Sequence, residues 1–118
     1  MNVSEQARGF AEEWVAAWNA RDLERVLSHY ADDVVFRSPR ITVVTGDQSG
    51  IVLGKTNLGA YWRQALSGAP DLRFELQRVY VSSGTITIAY RNHRGQNAAE
   101  TMIFNEHGLI REGIAAYE

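Results

Sequence analysis

Two polar residues sit where an apolar strand face would be expected to continue. In "NAAETMIF", Glu100 shares parity with Met102 and Phe104, so in a strand its carboxyl points to the same side as a methionine and a phenylalanine. In "DDVVFRSPR", Ser38 shares parity with Val34 and Phe36, which places its hydroxyl at the end of an apolar row, just before Pro39. A carboxyl buried on such a face without a cation beside it has a raised pKa, making it a neutral acid or a proton shuttle. A serine hydroxyl there orients a ligand by hydrogen bonding, but takes no proton from carbon without a partner base. The plainer alternative has Glu100 near the start of its strand, reaching solvent or an arginine, since carboxylates are seldom fully buried unless paired.

Other side chains could complete such a site. Trp14, Trp18, Tyr30, Tyr61 and Trp62 are bulky enough to form the interior between helices and sheet, and the same rings could wall a cavity for a flat, apolar ligand. Phe36 and Met102 share the faces of Ser38 and Glu100. Arg111 has the parity of Gly113, Ala115 and Tyr117; if that is the inner face, it could pair with Glu100 or with a ligand carboxylate. The alternative is a surface arginine. Tyr117 reads either as a phenol at a pocket mouth or as a C-terminal anchor. His29, His93 and His107 are scattered, the last two in turns, and form no ligand pattern, so no metal is expected. Gly46, Gly50 and Gly54 are too widely spaced for a phosphate-cradling loop and serve turns or a flap.

These residues need elements to hold them. Phe10, Trp14, Ala17 and Trp18 recur at helical spacing and predict an amphipathic helix from about Ser4 to Ala20. Asp22 is placed to cap a second helix whose face is Leu23, Val26, Leu27 and Tyr30. "VVFRS" reads as a short strand. The segment 41–54, with "ITVV" and "IVL" around "TGDQSG", reads as a short hairpin or mobile flap. Thr56 is a plausible cap for a third helix carrying Leu58, Tyr61, Trp62, Ala65 and Leu66. After Pro70 the runs "DLRFELQRVYV", "TITIAYRNH", "NAAETMIFN" and "LIREGIAAY" are strands separated by short Gly-containing turns, an antiparallel meander. Helices first and strands afterwards give an α+β fold with one sheet face buried against the helices.

Bulk properties narrow the function classes. A chain of 118 residues fits one domain, 1–118, and 45% apolar with 22% charged residues is ordinary for a folded chain. Twelve basic and 14 acidic residues, with no long basic run, argue against nucleic acid as a partner. Without cysteine there are no disulfides or thiolate chemistry. The sequence shows neither a signal-peptide pattern nor an apolar run long enough to span a membrane, so a soluble, cytoplasmic protein is expected.

The order of elements, together with "WVAAWNARDLERVLSHYADDVVFRSP", "GKTNLGAYWRQAL" and "FNEHGLIREGIAAY", resembles the nuclear transport factor 2-like superfamily, and within it the SnoaL-like polyketide cyclase group. The resemblance runs from about Phe10 to Tyr117. It implies a cone: about three N-terminal helices packed on a strongly curved, mostly antiparallel sheet around an internal pocket, in a homodimer built through the outer face of the sheet. Steroid isomerases of that superfamily use a carboxylate base and two oxyanion donors, a tyrosine and a protonated aspartic acid. Lining up their pattern puts Trp14 at the tyrosine, Ser38 at the base and Glu100 at the protonated acid. With two of three roles substituted, plain steroid isomerisation is rejected. The superfamily's epoxide hydrolases need two carboxylates bridged by an arginine; Arg91 has no aspartate after it at strand spacing, and Arg111 and Glu112 are adjacent and face opposite sides.

The expectation is therefore a small-molecule enzyme of the proton-transfer type, an isomerase, cyclase or dehydratase without a cofactor. Its substrate is an apolar or aromatic molecule in an enclosed pocket. Glu100 and Ser38 are the catalytic candidates; Trp14, Trp18, Tyr30, Phe36, Tyr61, Trp62, Met102, Arg111 and Tyr117 are the substrate-binding candidates. The alternative is a non-catalytic module that binds a hydrophobic ligand, or a dimeric interaction domain.

Overall fold

The helices begin and end where short polar side chains and glycines dictate. A computed structural model describes residues 2–118. Helix α1 (Val3–Asn19) is capped by Asn2, whose side chain accepts from the Glu5 backbone N–H, and it buries Ala7, Ala11, Trp14, Val15, Ala17 and Trp18. Asp22 caps the short α2 (Leu23–Leu27) by accepting from the Arg25 N–H, as its sequence position suggests. Tyr30 is not on that helix. It opens strand β1 (Tyr30–Arg37), whose pairing with the last strand is irregular between Tyr30 and Val35, where Asp32 and Asp33 are exposed.

The segment expected to be a hairpin or flap contains a helix instead, α3 (Pro39–Thr45), followed by the short strand β2 (Ile51–Leu53). Ser38 caps α3 and Pro39 occupies its first turn, where a missing N–H costs nothing. Gly46 ends it at φ 80°, a left-handed conformation that glycine adopts without strain. Helix α4 (Lys55–Ser67) is preceded by Gly54 rather than capped by Thr56, and no side chain bonds its first turn.

Strands β3 (Glu75–Ser82), β4 (Thr85–Arg91), β5 (Asn97–Phe104) and β6 (Ile110–Tyr117) form the expected meander. The sheet order is β2-β1-β6-β5-β4-β3, antiparallel except for the β1–β6 pair. Among the described residues there are thus four helical segments rather than three on an α+β scaffold. Bulges at Leu76–Arg78 in β3 and at Ile103–Phe104 against β6 increase local twist and bend the strands. Helix α1 packs against β3 and α4 against β1. Between helices and sheet lie Trp14, Tyr30, Ile88, Tyr90, Met102 and Ile110, all almost wholly buried.

Two contacts lock the helices to the sheet. Asn19 clamps Phe74, donating to its carbonyl at 2.9 Å and accepting from its N–H at 2.7 Å. Arg21, at φ 58°, donates to the carbonyls of Leu66 (2.6 Å) and Ala69 (2.8 Å), fixing the α1–α2 turn to the end of α4.

Candidate functional site

The register of the meander decides which side chains face inward. Glu100 is opposite Ile88 on β4 and Ala115 on β6, in the inner row with Ala98 and Met102. It is 6% exposed. The Tyr90 hydroxyl donates to its Oε1 at 3.3 Å, and its buried Oε2 has no partner in the protein. Burial pushes the Glu100 carboxyl up to about 7, with the Tyr90 hydrogen bond pulling the other way. Near neutrality it is therefore poised between a neutral acid and a carboxylate, the condition under which an acid both gives and regains a proton.

Glu100 looks into a cavity of about 90 Å³ enclosed by α1, α3, α4, β1 and the strands β4–β6. Phe36, Tyr61, Trp62, Phe74, Tyr90 and Tyr117 supply its aromatic wall, and the rings interlock: Trp18 meets Trp62 edge-on at 4.9 Å, and Phe74 lies 4.3 Å from Tyr90. The phenols resist ionisation. Tyr61 is pushed up to about 12 by burial, and Tyr90 and Tyr117 are raised by burial and then by the nearby Glu100 charge. They are hydrogen-bonding groups at neutral pH rather than bases.

Ser38 also lines the cavity and is 4% exposed, so the apolar row of β1 does end at the pocket. Its Oγ is already engaged, accepting the Arg40 backbone N–H at 3.1 Å as the α3 cap, and its hydroxyl faces the phenols of Tyr61 and Tyr117. One small residue ends the strand, starts the helix and contributes to the wall.

Of the remaining candidates, Trp18, Phe36, Tyr61, Trp62 and Tyr117 line the cavity with Glu100 and Ser38. Trp14 and Tyr30 do not. The Trp14 Nε1–H donates to Tyr30 Oη at 3.2 Å deep in the core, so the two groups expected to orient a substrate satisfy each other. Met102 is fully buried beside them and is core. Arg111 lies outside: it is exposed, with its guanidinium 3.9 Å from Glu112. Phe104 pairs with Ile110 while Ile103 pairs with Glu112, so Arg111 is the extra residue of a bulge that displaces it from the parity of Gly113 and Ala115.

Several residues at the site are not among the candidates that parity and spacing predict. Tyr90 follows Ile86 and Ile88 in the alternation of "TITIAY", a pattern sufficient to place it inward. His93 is in the turn after β4, as its sequence suggested, yet its side chain is only 12% exposed and lines the cavity. Its Nε2 is 3.8 Å from an Asp71 carboxylate oxygen, and its buried Nδ1 has no partner. Four buried side-chain polar atoms lack partners among the described residues, and three of them, Trp18 Nε1, His93 Nδ1 and Glu100 Oε2, belong to residues lining this one cavity. Unpaired buried polar atoms are rare and costly, so their concentration on residues of one cavity singles it out as the candidate site. Among the described residues, no group of three or more histidines and carboxylates is placed to hold a metal, and no helix is long and apolar enough to cross a membrane.

A curled sheet wrapped by N-terminal helices around a cavity is the architecture that the resemblance to the nuclear transport factor 2-like superfamily implies. Residues 11–113 match the SnoaL-like domain, and the chain belongs to that family. A SnoaL-like protein of unknown function from Burkholderia thailandensis E264 has a similar structure, with TM-score 0.91, 38% identity, and 100% of this chain and 99% of that one covered. A putative isomerase of the SnoaL-like family from Agrobacterium tumefaciens C58 gives TM-score 0.76 at 18% identity, over 97% and 98% of the two chains. TerC co-crystallised with polyporic acid gives 0.74 at 15%, over 90% and 86%. At these lower identities the likeness is one of fold. No curated protein matches the sequence.

Proposed function

We propose that this protein is a proton-transfer enzyme, an isomerase, cyclase or dehydratase working without a cofactor, with Glu100 as the group that exchanges the proton. One observation carries the reading: a carboxyl buried in an aromatic cavity, held by Tyr90 through one oxygen, with the other oxygen unpartnered and its pKa near 7. The Trp18 N–H is a second unused donor, suited to an oxygen that gains charge as a neighbouring C–H bond breaks. His93, which lines the same cavity with Asp71 3.8 Å from its Nε2, would serve as a second proton carrier. The putative isomerase among the structural neighbours shares the fold with this reading.

The cavity revises the substrate. About 90 Å³ is smaller than the roughly 150 Å³ void that takes up benzene, so the enclosed body is a few carbons, or a ring that extends through the mouth. The test is a screen of small β,γ-unsaturated and β-hydroxy carbonyl compounds for turnover and for C–H exchange with deuterated water. Turnover by the wild type and its loss in a folded Glu100→Gln variant supports the reading; turnover unaffected by Glu100→Gln removes it.

A non-catalytic ligand carrier is the second reading. What favours it is that Ser38, serving as the α3 cap, has no base beside it in the hydrogen bonds it makes, so it orients a ligand rather than moving a proton. The proposal includes a homodimer through the outer face of the sheet. Thr87, Ala89, Ala99, Thr101, Ile114 and Ala116 pair across neighbouring strands on that face as an uncharged patch, and depletion of charge is what the core of an interface shows. Sizing at tens of micromolar tests it, and a monomer would count against it.

A further inference from the structure

We infer that the ligand of this cavity is a small organic carboxylate: its apolar body lies against the aromatic wall and its carboxylate sits at the mouth between Arg40 and Arg94. The inference deepens the proton-transfer reading by naming the substrate class, and rests on that reading only for what happens after binding.

Beside the cavity is a shallower recess of about 360 Å³, and the two share Arg40, Val44, Ala65, Ala69, His93 and Arg94 as walls. The inner space alone is too small for most metabolites, whereas the two together accept a molecule with a buried end and a solvated end. The shared wall carries two guanidinium groups. Among the described residues neither has a carboxylate within ion-pairing distance, and neither side chain makes a hydrogen bond to the protein; several exposed arginines share that property, and what distinguishes these two is their place on the shared wall. The recess has no acidic residue in its lining, and the cavity has only Glu100.

Arg40 is half-buried on the first turn of α3, and its charge reaches the phenols of Tyr61 and Tyr117 inside the cavity, so it sits at the boundary between the two spaces. Arg94 lines both spaces from the turn 92–96, which Asn92 organises by accepting the N–H groups of Arg94 and Gln96 at 3.0 Å each. The planar fork of a guanidinium matches a carboxylate in a bidentate fashion. Positive charge at the mouth also favours an anion generated at the inner end when a C–H proton leaves.

The test compares isovalerate, phenylacetate and hydrocinnamate, each with its neutral amide, by chemical-shift titration followed on backbone amides and on the indole N–H groups of Trp18 and Trp62. Wild-type protein should bind at least one carboxylate about tenfold more tightly than its amide, and Arg40→Gln or Arg94→Gln should remove most of that preference. Arg78→Gln, an exposed change on β3, should leave it intact. The inference is overturned if no carboxylate in the series binds better than its amide, if both mouth variants keep the preference, or if Arg78→Gln reduces it equally. Binding that persists in Glu100→Gln, with no turnover in any screen, would sink the enzyme reading and leave this inference standing.

Discussion

The Tyr90 hydroxyl donates to Glu100 across 3.3 Å between neighbouring strands, and that single bond is all the protein offers a carboxyl sealed from solvent. Glu100 is consequently held at about 7 rather than 4.5. Its buried form is stable when neutral and costly when charged.

A pH dependence of stability follows. Between 4.5 and about 7 the folded state keeps a proton that the unfolded chain has released. The stability contributed by the neutral carboxyl is thus fully present below 4.5, declines as pH rises, and is lost above about 7, a loss of about 3 kcal/mol in all. Glu100→Gln has no such loss. Its unfolding free energy relative to wild type should therefore rise from pH 4 to pH 8, measured by urea denaturation at both; a constant difference would show that the carboxyl is not perturbed.

Two tryptophans one helical turn apart should respond differently to the same truncation. Trp14 donates to Tyr30 whereas Trp18 Nε1 has no partner, so the loss from Trp14→Phe should exceed that from Trp18→Phe by about 1 kcal/mol in urea unfolding. Trp18→Phe, in turn, should weaken a bound carbonyl ligand that Trp14→Phe leaves alone. Equal stability losses would mean that Trp18 finds a partner in solution.

Gly113 looks like space left for a ligand, but Phe36 occupies it. A Cβ there would lie 3.0 Å from Phe36 Cδ1 and 3.9 Å from Tyr30 Cε2. Gly113→Ala should push the Phe36 ring into the cavity and cost about 1–3 kcal/mol. Thermal unfolding and the phenylacetate titration check this, and an unchanged melting temperature would contradict it.

Arg111→Ala should change stability by no more than about 0.5 kcal/mol and leave ligand titrations unaltered. Its exposed pairing with Glu112 is one Glu112 also makes with Arg37, at 3.5 Å. Lost ligand affinity in this variant would return Arg111 to the site.

What the sequence made legible follows from periodicity. The stripe of Trp14, Ala17 and Trp18, and the alternation of Glu100 with Met102, each hold because no bulge interrupts them. Arg111 was misplaced because a bulge adds a residue without leaving a mark in composition. Tyr30 extended the spacing of Val26 and Leu27 by chance, while the chain had already left the helix. "ITVV" is β-branched and reads as a strand, but Ser38, Pro39 and Gly46 supply a cap, a first-turn proline and a left-handed stop, which together outweigh that preference. His93 could not be found by spacing, because a turn folds its side chain back over the cavity.

The central claim is that Glu100 is a proton-exchanging acid in the cavity, and ¹³C-carboxyl NMR titration reads this most directly, with the Glu100→Gln spectrum identifying its resonance. A midpoint near 7 is the expected result. A midpoint at or below the ordinary 4.5 would show a solvated or paired carboxylate and contradict the claim.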